Sequence, residues 1–114
     1  MSRELRLLLE DILHYCTLVS EWTTRLTFEE FLGHPVEYHA VIRALTVIGE
    51  ATKDLPDGFR DENPDVPWRE LAGMRDIIVH RYFGVQDSYI WDAATAEIPA
   101  IAEQVRVALD CVEG

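Results

Sequence analysis

The chain has 114 residues, of which 48% are hydrophobic and 27% charged, and its formal net charge is −11. That length predicts one domain over residues 1–114 with a modest core, and the composition is that of a folded protein rather than a disordered or fibrous one. The acidity argues against a general nucleic-acid coat protein, which needs a basic footprint. No apolar run approaches the ~18 residues of a membrane span. The N-terminus lacks the basic start, apolar centre and small-residue cleavage site of a signal peptide, so the expectation is a cytoplasmic protein with no membrane partner. Cys16 and Cys111 match no metal spacing. They read as reduced core thiols, with a disulfide between the terminal helices as the alternative.

In chain order, Arg3 to about Leu26 predicts a long amphipathic helix. Leu5, Leu8, Leu9, Ile12, Leu13, Cys16 and Val19 form its stripe, and Ser2 stands where a cap is needed. His14 lies beside that stripe and reads as a boundary histidine, since no second metal ligand stands three or four residues away. Thr27 predicts a cap for a short turn, Phe28-Glu29-Glu30-Phe31, with Glu30 at the capping-box position and two rings to close one end of a bundle. Gly33-His34-Pro35 is a break.

The next helix is expected from about Val36 to Leu55. Val41, Leu45, Ile48, Thr52 and Leu55 make one face, and Tyr38, Ile42, Gly49 and Ala51 extend small or apolar character to another. A helix apolar over so much of its girth is central, or packs on two things at once. Gly49 costs about 1 kcal/mol relative to Ala in a helix interior, which predicts close approach by another helix. Arg43 and Glu50, seven apart, share a face. They are either a surface pair or two residues that reach one polar site.

Leu55 to Pro67 reads as the one true loop, punctuated by Pro56, Asp57-Gly58 and Asn63-Pro64, with Phe59 as its anchor. Pro67 suits the first turn of a third long helix, along which Leu71, Met74 and Ile78 recur at helical spacing and which Gly84 would stop. A last helix of about 88–112 follows, capped by Asp87 or Ser88, and Pro99 should kink or split it. No segment reads as a strand. The predicted fold is all-α: an up-down four-helix bundle with a short extra helical turn.

Residues 67–83 carry Arg69, Arg75 and Arg81 against Glu70 and Asp76, a local +1, which leaves −12 for the rest of the chain. The acidic remainder is either a solvated surface or a body built to meet a basic partner. No Gly-rich phosphate loop is present, no Ser or Cys stands in a recognisable nucleophile context, and no His and carboxylate spacing suits a metal. The third helix offers a histidine, His80, that can move protons near neutral pH, an arginine, Arg75, whose planar fork matches phosphate, and a phenol, Tyr82. That set suits metal-free cleavage of an RNA phosphodiester: a base takes the 2′-hydroxyl proton, a cation steadies the phosphorane and an acid protonates the leaving oxygen. An Arg and a His satisfied at a helix end is the plain alternative. Five residues turn about 140° around a straight helix, so Arg75 and His80 converge only if the helix end bends, the long Arg reaches, or a two-fold dimer sets one copy of the motif against the other.

The run Arg75-Asp-Ile-Ile-Val-His80-Arg81-Tyr82 resembles the R-x4-H-x-Y signature of the HepT-like branch of HEPN domains. The likeness extends through the FEEF turn, AVIRALTVIGEATKDLP and PWRELAGMRDIIVHRYFGV, nearly the whole chain. The resemblance implies an all-α homodimer with two motifs facing across the interface, and a metal-independent ribonuclease with no cofactor. It also implies the toxin of a toxin–antitoxin pair, whose antitoxin resembles a minimal nucleotidyltransferase, MntA, that transfers AMP to the motif tyrosine. By residue it implies Arg75 and His80 for catalysis and Tyr82 as the AMPylation acceptor; Asp76, Arg81, Arg43 and Glu50 are expected beside them as supporting residues on the RNA side. The family is polar after the arginine, often Asn; here Asp76 sets a negative charge beside the phosphate site. A second class of function stays open: a non-catalytic HEPN-like module that holds a nucleotide or a partner. The dimer interface is expected on the third helix and on the central helix around Ile42 and Gly49. The acidic body predicts a basic antitoxin.

Overall fold

A computed structural model describes residues 2–80 and 87–113. All its regular elements are helical: α1 (Arg3–Thr23), α2 (Phe28–Leu32), α3 (Pro35–Lys53), α4 (Asp57–Glu62), α5 (Trp68–Val79), α6 (Asp87–Asp92), a π turn (Ala93–Glu97) and α7 (Ile98–Glu113). The fold is all-α, as expected.

Local chemistry accounts for the starts. Ser2 accepts from the Leu5 N–H at 3.1 Å, filling one of the orphan donors of α1. Thr27 and Glu30 complete a reciprocal capping box on α2, with bonds of 3.1 and 3.0 Å. The segment 55–67 departs from the expectation of a loop, because Asp57–Glu62 winds into a short helix, α4. Pro56 has the extended backbone of an N-cap, Asp57 favours the positive end of the turn, and Arg60 pairs back to Asp57. Phe59 does anchor this segment: it is buried against Trp68, with ring centroids 5.8 Å apart. The Trp68 indole donates to the Asn63 carbonyl, and the Asn63 amide to that of Phe59, both at 2.9 Å. Pro67 proves to be the N-cap of α5 and not a residue of its first turn.

The long helices pack in the order α5, α3, α1, α7, with α3 held between α1 and α5. The core follows the sequence stripes: Leu9, Ile12, Cys16 and Val19 of α1 meet Val41, Leu45, Ile48 and Thr52 of α3, all fully buried. The other face of α3 meets α5 in the same chain. A Cβ on Gly49 would come within 2.7 Å of the Arg75 Cβ, so this glycine is what lets the two backbones touch. That corrects the expected interface, since Gly49 is covered by its own chain; Ile42 is half-buried. Phe28 and Phe31 close one end of the bundle against Trp91, at centroid separations of 6.1 and 5.2 Å.

The last helix is interrupted just before Pro99. The Ile98 N–H reaches back five residues to the Ala93 carbonyl. This π turn widens the coil where a proline ring would strike the carbonyl four residues earlier. Gln104 of α7 donates to the Asp65 carbonyl at 2.7 Å and ties down the segment after α4. Both cysteines are free, but only Cys16 belongs to the core; Cys111 is exposed, contrary to expectation. Burial pushes the Cys16 thiol up to about 12. No helix among the described residues is long and apolar enough to cross a membrane.

Candidate functional site

α5 presents Arg75 and Asp76 on consecutive residues of its last turns and ends at Val79. His80 is its C-cap, with φ −96° and ψ 18°, and its N–H donates to the Asp76 carbonyl at 3.2 Å. Its N–H thus still makes the helical bond four residues back and the backbone turns off the helical path beyond its Cα, so this turn does not by itself bring the His80 ring toward Arg75. The histidine is exposed. Arg81, Tyr82 and the expected Gly84 stop lie outside the described residues.

Arg75 is clamped where α5 meets α3. Its Nε is closed off from solvent and sits against the Glu50 carboxylate as an ion pair whose alignment falls short of a hydrogen bond. The attraction there is charge rather than a directed bond. Its Nη1 donates to Asp76 Oδ1 at 3.2 Å. The same Asp76 oxygen accepts from Lys53 Nζ at 2.7 Å. Hydrogen bonds from Lys53 and then Arg75 hold the Asp76 carboxyl below its ordinary value of 3.8, so it is an anion near neutral pH. α3 thus supplies Glu50 and Lys53, α5 supplies Arg75 and Asp76, and the four charges cancel.

Of the sequence-predicted set, the structure brings Glu50, Arg75 and Asp76 together, with His80 at the end of the same helix. Arg43 is exposed and forms no ion pair with the described residues, so it does not join them. Lys53 is the residue that sequence reasoning missed. Its signal is its place three residues after Glu50, one turn along the same side of α3. Among the described residues no group of three or more His, Cys, Asp or Glu side chains could hold a metal ion. An arginine fork, a protonatable ring and no clustered carboxylate ligands form a set suited to binding a phosphate and moving a proton.

A second concavity lies between α5 and α7, an apolar groove of about 690 Å³. Leu71, Met74 and Ile77 form one wall and Ile98 and Ile101 the other, with Glu70 and Glu97 at its edges. Tyr89 in that groove has its phenol pushed up by burial and then by Glu97. Arg75 does not line it.

The model of the ribonuclease HepT-like family matches residues 12–108, a span that takes in the Gly49 contact, the charge quartet and His80. The chain belongs to this family. Among its relatives, the probable ribonuclease HepT of Thermococcus cleftensis is 43% identical over 101 residues, 89% of this chain and 92% of that one. A protein named "Putative RNase" in Caldanaerobacter subterraneus subsp. tengcongensis is 45% identical over 98 residues, covering 86% and 88% of the two chains. Another of that name in Methanocaldococcus jannaschii is 39% identical over 113 residues, covering 99% and 93%. No solved structure matches the chain. In this HepT-like protein the charge quartet supplies the local explanation of how Arg75 is held.

Proposed function

We propose that this HepT-like chain is a metal-independent RNA endonuclease, the toxin half of a HepT/MntA-type toxin–antitoxin pair. The observation that carries the reading is the Arg75 guanidinium fastened to α3 by Glu50, on the helix that His80 caps. Arg75 offers the phosphate a planar cation with little freedom left to lose. One imidazole takes the 2′-hydroxyl proton as that oxygen attacks phosphorus, and a protonated imidazole delivers a proton to the departing 5′-oxygen, leaving a 2′,3′-cyclic phosphate and a free 5′-hydroxyl. A homodimer provides two copies of His80 for these two roles. Ile77 and Val79 on α5 are 40% and 42% exposed, and they give the apolar surface that such a pairing would bury. Tyr82, two residues on from His80, is the acceptor for AMP. The adduct adds a phosphate and a purine at the RNA path and blocks it by charge and bulk. The antitoxin is expected to be basic, steered by the acidic body.

The test is cleavage of a labelled RNA in EDTA by the wild-type protein and by His80→Ala. Cleavage by the first and not the second supports the reading; activity that EDTA abolishes would refute metal independence. RNA bound but never cut would favour the non-catalytic module. Incubation with the genomic neighbour, ATP and Mg²⁺ should add one AMP per chain at Tyr82, and equal labelling of Tyr82→Phe would refute that assignment.

A further inference from the structure

Asp76 is an awkward neighbour for a phosphate site. Its carboxylate touches Arg75, and a bare anion there would repel the ligand that the arginine is meant to hold. The structure also shows the remedy. Asp76 Oδ1 is shared between Arg75 Nη1 and Lys53 Nζ, and the lysine contact, at 2.7 Å, is the shorter of the two. Lys53 comes from α3, so the pairing crosses from one helix to the other at the level where Gly49 lets the backbones meet. The spacing of the two helices there is set by backbone contact and not by long side chains, so the lysine and the aspartate are brought together by the fold itself.

We infer that Lys53 is a positioning residue for this site: it neutralises Asp76, so that Arg75, already paired with Glu50, is opposed at the phosphate site by one carboxylate charge fewer. The inference rests on the reading that Arg75 binds phosphate. Lys53 does not touch the reacting atoms. It acts through Asp76, and the effect fades as salt is raised, because the lysine and aspartate side chains are 36% and 53% exposed.

The experiment is a double-mutant cycle of Lys53→Gln and Asp76→Asn, read by steady-state RNA cleavage at low salt together with the NMR titration of the Asp76 carboxyl. Lys53→Gln should raise KM about three- to fivefold with kcat little changed, and that deficit should shrink at high salt. In the Asp76→Asn background the same lysine substitution should change kcat/KM by less than about twofold. The Asp76 carboxyl pKa should rise in Lys53→Gln. An undiminished loss in the Asp76→Asn background would overturn the inference, because Lys53 would then be acting on RNA directly. An Asp76 titration indifferent to Lys53→Gln would overturn it whether or not RNA is cut. If the titration moves as expected while the wild-type protein neither binds nor cuts RNA, the ribonuclease reading falls and the neutralisation of Asp76 by Lys53 stands.

Discussion

Helices α1 and α5 both pack on α3, from opposite sides, and they are built differently. α1 is 21 residues long, is capped by Ser2, and buries Leu9, Ile12, Cys16, Val19 and Thr23 between α3 and α7. α5 has 12 residues, no side-chain cap, and one face on α3; its other side opens onto the groove toward α7. α1 contributes core. α5 carries the candidate site, with exposed Ile77 and Val79 and a row of charges where α1 has apolar contacts. A small bundle can keep such a helix because three others make most of the core. The lesson is that the candidate site sits on the shortest of the long helices and is held against α3 by the close approach at Gly49.

The sharpest way to break that division is at His80. Its replacement by Ala should lower RNA cleavage about 10²- to 10⁴-fold while melting with the wild type, since it is an exposed helix cap and not core. Arg75→Lys should lose a comparable share, because a point charge does not replace a planar fork. A variant that unfolds along with its loss of activity would show the two regions to be less separate than described.

Next in size is a paired deletion across the two regions. Ile48→Ala, in the fully buried face of α3, should cost roughly 2–5 kcal/mol by urea denaturation. Ile77→Ala, on the open side of α5, should cost under about 1 kcal/mol in the isolated chain. Sedimentation should then show a weaker dimer for Ile77→Ala if α5 forms the interface; unchanged association would move the interface elsewhere.

Gly49→Ala sets two effects against each other. Alanine favours a helix interior by about 1 kcal/mol, yet its Cβ would lie 2.7 Å from the Arg75 Cβ and 3.1 Å from the Leu71 carbonyl oxygen. Neither neighbour is the free end of a flexible chain, so overpacking of about 1–3 kcal/mol should win, with a drop in cleavage as α5 is pushed outward. A stabilised, fully active Gly49→Ala would refute the close approach. Thr27→Ala, which removes half of the capping box on α2, should cost about 1 kcal/mol and leave cleavage alone.

The smallest effect is on pH. The Asp76 carboxyl is lowered, so its pairing contributes above the ordinary carboxylate range and is lost as pH falls through the lowered value. The Lys53→Gln deficit in cleavage should therefore hold constant through neutral pH.

How much of this was legible in the sequence follows from the range of the forces. The stripes of α1 and α3 and the capping box on α2 are local or periodic, and they read correctly from Leu9–Ile12–Cys16, Val41–Leu45–Ile48 and Thr27–Glu30. Gly49 announced a close approach, but not which helix would approach. The helix α4 was hidden by its prolines and glycine, because Phe59 docking on Trp68 overrides weak propensity. Cys111 shows the opposite error, an apolar type left exposed near the end of α7. Within the site, Arg75, His80 and Glu50 were visible from residue type and spacing. Lys53 was not, although it stands one turn after Glu50, because the partner that gives it a role, Asp76, is 23 residues away in sequence.

The π turn before Pro99 has a consequence for how this chain tolerates changes in length. A π turn holds one residue more than the α-helical turn it replaces and absorbs it as a local bulge, between the buried Ala93 and Ala94 on one side and Ile98 and Ile101 on the other. Deleting one residue within 93–97 would restore a regular coil and keep α7 in phase, but it would drive the proline ring into the turn below. The indel and the proline are thus coupled. A homologous chain one residue shorter here is expected to carry a non-proline at the position of Pro99, which makes this turn a natural place to fix the register of any alignment.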